Sequence, residues 1–190
     1  MVSQKKLGIG SVMVALAVVT FSVDQLSFAA ASGDTVEDAT AEEARRLSHV
    51  FPDADVFSAS TGELPHHKAY KTDSVTGERT LLGFVYLTHM VDPLEFAYTS
   101  GIEALVGVTI AGNITKVEIV DHYEPYGYFS IDLPEFAKQF EGKSILDRFR
   151  VDRDIDAVTR ATVTVEGTAR VIRNTAREIV RQHLREQEKK

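Results

Sequence analysis

The C-terminal end of the chain carries the pattern that most limits the fold. From residue 165 to about residue 187, apolar side chains recur mostly at intervals of three and four residues, the spacing that places them on one face of an α-helix. This spacing predicts a long amphipathic C-terminal helix. The apolar positions are Val165, Ala169, Ile172, Ala176, Ile179, Val180 and Leu184.

Three apolar stretches rich in β-branched and aromatic residues precede this helix, over residues 80–89, 104–111 and 114–121. Gly112-Asn113 separates the last two and is typical of a hairpin turn. The composition of residues 73–78 predicts a second turn, between a strand at 68–72 and the next strand. Short helices are expected over residues 41–50 and 133–140. The sequence therefore predicts an α+β fold, a single domain with an antiparallel sheet, short helices and a long C-terminal helix.

The N-terminal residues have the order of a secretory signal. Lys5 and Lys6 precede an uncharged stretch at 7–23, and small residues follow at 29–31. We expect residues 1–29 to be a signal peptide, although a stretch of that length can also remain as an N-terminal membrane anchor. Residues 30–50 would then be a linker and a short helix. Both interpretations predict export, to the periplasm or to the outer face of the cytoplasmic membrane.

Composition excludes several kinds of chemistry. The chain has no cysteine, which excludes disulfides, thiolate catalysis, iron–sulfur clusters and Cys-attached haem. Any redox chemistry must therefore come from a bound organic cofactor. The formal net charge of −7 at pH 7 argues against nucleic acid as a partner. The six histidines lack the spacing of metal ligands, so we expect them at the surface and expect no structural metal.

Two sets of side chains allow more than one interpretation. An arginine stripe on one face of the predicted helix indicates either a solvated face or a docking surface for an acidic redox partner. A group of aromatic residues belongs either to the core or to a ligand pocket. The arginines are Arg170, Arg173, Arg177 and Arg181, and the aromatic residues are Tyr123, Tyr126, Tyr128 and Phe129.

A segment rich in threonine comes just before the C-terminal helix. Within it Thr159, Thr162 and Thr164 are interspersed with mostly small or apolar residues. The simplest interpretation is capping, in which Thr162 or Thr164 accepts hydrogen bonds from the free N–H groups of the first helical turn.

The same segment resembles the flavinylation motif of FMN-binding domains, Asp-x-x-(Ser/Thr)-Gly-Ala-Thr. Such domains occur in the G-type subunit of Rnf electron-transport complexes, the C subunit of the sodium-pumping quinone reductase and the exported domain of the regulator NosR. The matching residues are Asp156, Thr159, Ala161 and Thr162. The resemblance implies that FMN is attached to Thr162 through a phosphoester.

Two neighbouring residues complete the expected FMN site in this segment. Arg160 stands where the motif usually has Gly, and its guanidinium would either pair with the phosphate or crowd it. Thr164 would serve at most as a helix cap.

A second series of residues resembles the same family. Tyr98 and Gly101, a hairpin, and then the sequence from His122 to Gly127 follow in the family's order. The order Glu124-Pro125-Tyr126-Gly127 is nearest to the NosR-type proteins. The resemblance spans residues 70–179 and implies that residues 51–190 are an FMN-binding domain. It also implies that Tyr98, Glu124, Tyr126 and Gly127 approach the flavin ring.

These observations predict an exported FMN-carrying module that relays electrons between a membrane reductase and an acceptor outside the cytoplasm, as in NosR-like respiratory support. No substrate-binding catalytic cluster is visible, so we expect a redox carrier and not an enzyme in its own right. The expected partners are a membrane electron-transport complex and a flavin transferase that uses FAD and Mg²⁺. The alternative is a flavin-free exported binding or sensory module, in which the threonines only cap a helix.

Overall fold

The computed structural model describes residues 38–93 and 96–189. The expected signal peptide or anchor, and most of the expected linker, lie outside the described residues. The helices are α1 (Ala41–Val50), α2 (Thr88–Val91), α3 (Pro134–Lys138) and α4 (Thr162–Glu188). The strands are β1 (Val56–Phe57), β2 (His67–Thr72), β3 (Arg79–Leu87), β4 (Ile102–Thr109) and β5 (Ile114–His122). The predicted α+β fold, with its antiparallel sheet, short helices and long C-terminal helix, is confirmed.

The sheet has five strands in the order β1-β2-β3-β4-β5, and every neighbouring pair is antiparallel. Both predicted turns join neighbouring strands. The turn between β2 and β3 is closed by Asp73, whose N–H donates to the carbonyl oxygen of Glu78 at 2.8 Å. The turn between β4 and β5 contains Gly112 with a φ of +82°, a left-handed conformation that glycine adopts without strain.

The sheet buries both of its faces. Because successive side chains of a strand point to opposite faces, Phe84 and Tyr86 of β3 lie in the cluster that packs against α4, whereas Val85 lies in the cluster that packs against α1. Leu105 of β4 belongs to the α1 side as well. The result is a sheet with the long helix on one face and the first helix on the other.

Helix α4 begins at Thr162, three residues before the apolar repeat that predicted it. Its buried face includes Val165, Ile172 and Ile179. A hydrogen bond of 3.2 Å between the hydroxyls of Tyr86 and Thr175 ties the middle of the helix to the C-terminal end of β3. The helix is therefore held against the sheet along its buried face.

The arginine stripe of α4 is not simply a solvated face. The guanidinium groups of Arg170, Arg173 and Arg177 donate to backbone carbonyl oxygens of residues 96, 145, 147 and 148. Arg181, the last of the stripe, forms an ion pair with Glu178 at 3.0 Å. The stripe holds loops against the helix, which the helical spacing alone did not indicate.

One expectation about the histidines is wrong. His66 is buried, with its ring edge-on to Phe84 at 5.3 Å between centroids. Burial lowers the pKa of His66, despite the hydrogen bond to the backbone oxygen of Leu64, because the charged form is poorly solvated there.

Within residues 38–93 and 96–189, no helix is long and apolar enough to cross a membrane.

Candidate functional site

Three segments meet at the N-terminal end of α4. They are the loop at 97–101 before β4, the segment at 122–129 that follows β5, and the turn at 158–161 that leads into the helix. Between them lies a cavity of about 310 Å³, which we call the Thr162 cavity. Its lining residues are Tyr98, Tyr126, Arg160, Ala161, Thr162, Val163 and Thr164.

The first turn of α4 faces the cavity without a side-chain cap. The capping residue is Ala161, which offers no side-chain acceptor, and the first backbone bond of the helix runs from the N–H of Val165 to Ala161 at 2.9 Å. Thr162 is the first helical residue and is exposed. Since the N–H groups of a first turn have no partner within the helix, this end is suited to a negatively charged group.

The capping interpretation of the threonines is therefore wrong. Thr162 does not occupy the cap position, and the hydroxyl of Thr164 donates to the Glu124 carboxylate at 2.7 Å. Thr164 is buried, whereas Thr162 is exposed. The two threonines have different environments, and only Thr162 presents its side chain to solvent.

Arg160 has a strained backbone. The N–H of Ala161 donates to the Val158 oxygen at 2.9 Å, which closes a turn, and Arg160 is the third residue of that turn with a φ of +71°. Glycine is favoured where the third residue of a turn has positive φ. This conformation gives a physical reason for the glycine in the motif that the segment resembles. In this chain the same position carries an exposed cationic side chain that lines the cavity.

Glu124 is buried behind the cavity. Its Oε1 atom accepts hydrogen bonds from the backbone N–H groups of Tyr98, Thr99 and Ser100, at 3.1, 2.8 and 2.9 Å. Its Oε2 atom accepts the bond from Thr164. Burial raises the pKa of Glu124, but these hydrogen bonds favour the ionised form more strongly, so its pKa lies below the ordinary value.

The ring of His122 supports the backbone at Glu124. Its Nδ1 atom accepts from the N–H of Glu124 at 3.0 Å, so Nε2 carries the proton in the neutral ring and donates to Asp132 at 2.6 Å. Gly127 lies directly against this ring, and a Cβ atom at that position would overlap the ring carbon Cε1. The segment after β5 is thereby packed against its own strand.

The aromatic residues near the cavity have different environments. Tyr98 and Tyr126 line it and are 55% and 42% exposed. Tyr123 and Tyr128 are outside its lining and are mostly exposed, and Phe129 contacts the rings of Tyr126 and Tyr128. Of this group, only Tyr126 fits the expected role in a pocket.

Most of the residues predicted for the site come together. Tyr98, Tyr126, Arg160, Ala161, Thr162 and Thr164 line the cavity. Glu124 and Gly127 are buried and outside its lining, although Glu124 accepts a hydrogen bond from Thr164. Asp156 and Thr159 are exposed and outside its lining. The backbone N–H of Asp156 donates to Gln139 at 2.6 Å, which fixes the approach to the turn.

Two residues of the site were not predicted. Val163 lines the cavity with its side chain half exposed. Gly167 of α4 lies against Ala97, and a Cβ atom on Gly167 would overlap the backbone and side chain of that residue. A glycine inside an otherwise strong helical pattern was the available signal for this close approach. Among the described residues, no cluster of three or more metal-ligating side chains is present.

A family model described as FMN-binding domain matches residues 98–177. Residues 98–177 carry an FMN-binding domain. The matched region of the FMN-binding domain starts at Tyr98 and ends within α4, so it contains every residue that lines the Thr162 cavity. This match confirms the resemblance to FMN-binding domains for residues 98–177, without distinguishing the NosR type from the other types. No curated protein matches the chain.

The residues of the cavity fit FMN. A phosphate suits the uncapped first turn of α4, and the side chain of Arg160 adds a positive charge beside it. The apolar and aromatic surface of Tyr98, Tyr126 and Val163 suits a flat ring system. The cavity volume is at the lower end of the range of about 300–1,000 Å³ that is usual for ligand sites. The matched region is therefore a flavin-binding module.

Proposed function

We propose that this chain is an exported carrier of covalently bound FMN, attached through a phosphoester to Thr162. In this proposal it relays electrons between a membrane reductase and an acceptor outside the cytoplasm. The observation that carries the proposal is the position of Thr162, exposed in the cavity at the first residue of α4, inside the region that matches the FMN-binding family.

Covalent attachment requires a second protein. A threonine hydroxyl is a weak nucleophile unless a base or metal activates it, and the side chains that line the cavity include no carboxylate or histidine. A flavin transferase that uses FAD and Mg²⁺ would supply this activation. The Thr162 oxygen would form a bond to the FMN phosphorus of FAD, the pyrophosphate bond would break, AMP would leave, and the hydroxyl proton would pass to a base of the transferase.

The residues of this chain have supporting roles. The bound flavin would supply the electron chemistry. The first turn of α4 would stabilise the phosphate through its N–H groups, and Arg160 would pair with the same charge. Tyr98 and Tyr126 would cover the ring and limit its contact with water. A covalent bond is useful outside the cytoplasm, because a dissociated cofactor there cannot be replaced.

The partner expected for electron transfer is a membrane electron-transport complex. The order Glu124-Pro125-Tyr126-Gly127 favours a NosR-like role in respiration. In this proposal neither nucleic acid nor a structural metal takes part. The net charge of −7 is consistent with a protein partner and unfavourable for nucleic acid.

Mass measurement tests the attachment. When coexpressed with a flavin transferase and exported, the full chain should carry an FMN-sized adduct that survives denaturation and maps to Thr162. Thr162→Ala should lose the adduct. Thr80→Ala is the matched control, because Thr80 is an exposed threonine of β3 outside both the motif and the cavity lining, and it should load fully. An unmodified wild-type chain, despite an active transferase, would favour the flavin-free binding or sensory module.

N-terminal sequencing tests the export. Protein made in its own host should begin near Ala30 or Ser32 if the signal peptide is cleaved, or remain in the membrane fraction if residues 7–23 are an anchor. Recovery of an intact Met1 in the soluble cytoplasmic fraction would contradict export.

A further inference from the structure

Glu124 contacts two of the segments around the Thr162 cavity without lining the cavity itself. The flavin resemblance implies that this side chain approaches the ring, and its carboxylate is buried and bonded to the loop at 97–101 and to Thr164. We propose that Glu124 is a positioning residue whose carboxylate holds the loop at 97–101 and the first turn of α4 together, and places a fixed negative charge behind the flavin. This inference rests on the proposed flavin binding.

The two oxygen atoms of the carboxylate serve different segments. Oε1 accepts hydrogen bonds from the backbone N–H groups of residues 98, 99 and 100, and these bonds fix the loop that carries Tyr98. Oε2 accepts a hydrogen bond from the hydroxyl of Thr164, which lies two residues after Thr162 in the first turn of α4. One side chain therefore sets the separation between a ring that covers the cavity and the residue proposed for attachment.

The contacts of Glu124 leave its charge uncompensated. Its residue exposure is 6%, so little water reaches it. The groups bonded to its oxygens are backbone N–H groups and the hydroxyls of Thr99, Ser100 and Thr164, all of which are neutral. Such hydrogen bonds keep the carboxylate ionised but do not cancel its charge.

A charge in this position has an electrochemical consequence. Reduction adds electrons to a flavin, and a fixed negative charge close to it opposes that addition, more strongly in a site of low dielectric constant than in water. The wild-type protein should therefore have a lower midpoint potential than a variant in which residue 124 is neutral but still accepts hydrogen bonds.

The experiment compares two substitutions in the full chain loaded by a flavin transferase. Glu124→Gln keeps an acceptor for the loop and removes the charge. Glu124→Ala removes both. Glu118→Gln is the matched control, since Glu118 is an exposed carboxylate on β5 that pairs with His49 and is not part of the cavity lining. The measurements are the flavin-to-protein ratio, the visible flavin spectrum, and the midpoint potential by dithionite titration with redox mediators.

Distinct results are expected for the three variants. Glu124→Gln should load as well as the wild type and have a more positive midpoint potential. Glu124→Ala should load severalfold less flavin and show a spectrum shifted towards that of free FMN, because the loop and Thr164 have lost their common partner. Glu118→Gln should match the wild type in all three measurements.

The contacts of Thr164 provide a second test, because Glu124→Ala can also fail to fold. Thr164→Val keeps the shape of the side chain and removes the hydroxyl donor, and it should change the flavin spectrum. Thr164→Ser keeps the donor and should restore the wild-type spectrum. Equal spectra for Thr164→Val and the wild type, together with an unchanged potential in Glu124→Gln, would overturn the positioning role.

The outcomes separate this inference from the proposed function. If the wild-type chain takes up no flavin, the proposed function fails, and the positioning role of Glu124 fails with it. If the wild type loads at Thr162 and the Glu124 variants behave like Glu118→Gln, only the positioning role is wrong.

Discussion

At the scale of single residues, Arg160 combines an unfavourable backbone with a useful charge. A left-handed conformation costs a non-glycine residue about 1–2 kcal/mol, and Arg160 has a φ of +71°. A guanidinium group beside the first turn of α4 can form charge-assisted hydrogen bonds with a phosphate. An arginine at a turn position suited to glycine therefore has a physical benefit when flavin is bound, because its charge can bind the phosphate.

Arg160→Gly should therefore change stability in opposite directions with and without flavin. Without flavin, the relief of backbone strain exceeds the added entropy of an unfolded glycine, which is about 0.5–1 kcal/mol, and the melting temperature should rise. With flavin attached, the lost phosphate contact, worth about 1.5–3 kcal/mol, should lower it. Differential scanning calorimetry of both forms measures this.

The control for Arg160→Gly is Arg160→Asn. Asparagine tolerates positive φ and lacks the guanidinium. The melting temperature of this variant should therefore also rise without flavin and fall with flavin, and the flexibility that glycine adds to the unfolded chain does not contribute. A rise in melting temperature in both forms, accompanied by faster flavin loading, would indicate that Arg160 crowds the phosphate instead of binding it.

The ionisation of Glu124 predicts a dependence of stability on pH. Its pKa in the folded protein lies below the ordinary value of 4.5, because the hydrogen bonds outweigh the effect of burial. A lowered carboxyl pKa contributes stability that is fully present above the unfolded pKa and is lost as the pH falls through the folded pKa. The difference in free energy of unfolding between wild type and Glu124→Gln should be constant from pH 7 to about pH 5 and shrink below about pH 4.5. Urea unfolding of the flavin-free chains over this range measures it, and a difference that grew on acidification would contradict the assignment.

At the scale of elements, the repeating patterns of the sequence predicted the fold, and the contacts between distant segments did not follow from them. The apolar spacing predicted α4 but placed its start at residue 165, because the threonines at 162 and 164 interrupt the apolar repeat. Strand β1 was missed, since its two residues are too few to show alternation. Glu124 accepts hydrogen bonds from Tyr98, Thr99 and Ser100, which are 24 to 26 residues away in the chain, and no local sequence pattern indicates such a contact.

The contact between α4 and that loop predicts an unusual effect of Gly167→Ala. In an exposed helix interior this change stabilises a protein by about 0.5–1 kcal/mol, because alanine restricts the unfolded chain. At position 167 the added Cβ would overlap Ala97, so the variant should lose about 1–3 kcal/mol through overpacking and should load less flavin. Urea unfolding and the flavin-to-protein ratio measure the two effects.

Glu166→Ala is the control for Gly167→Ala, because it introduces the same residue one position earlier on the exposed side of α4. It should change stability by no more than about 0.5 kcal/mol. If Gly167→Ala were as stable as this control, the close approach of the loop to the helix would not be needed for the fold.

At the scale of the whole molecule, the region that matches the FMN-binding family is smaller than the folding unit that supports it. The match starts at Tyr98, after β3 and α1. The buried face of α4 nevertheless packs in one cluster with Phe84 and Tyr86 of β3, and Leu105 of β4 packs with residues of α1 on the other face. The cavity residues all lie in the matched region, but the core that holds them in place is completed by residues 38–93.

This arrangement predicts that a fragment of residues 96–189 does not fold on its own. Without β3, the central part of the sheet would be lost, β4 would become an unprotected edge, and the apolar face of α4 would be exposed to water. Circular dichroism should show a broad, non-cooperative thermal transition for this fragment, whereas residues 38–189 should melt in one sharp transition. The fragment should also accept no flavin from a transferase, although it contains Thr162 and every other residue of the cavity lining. A sharp transition and full loading of the fragment would show that β1–β3 and α1 are not required, and that the family region is an independent domain.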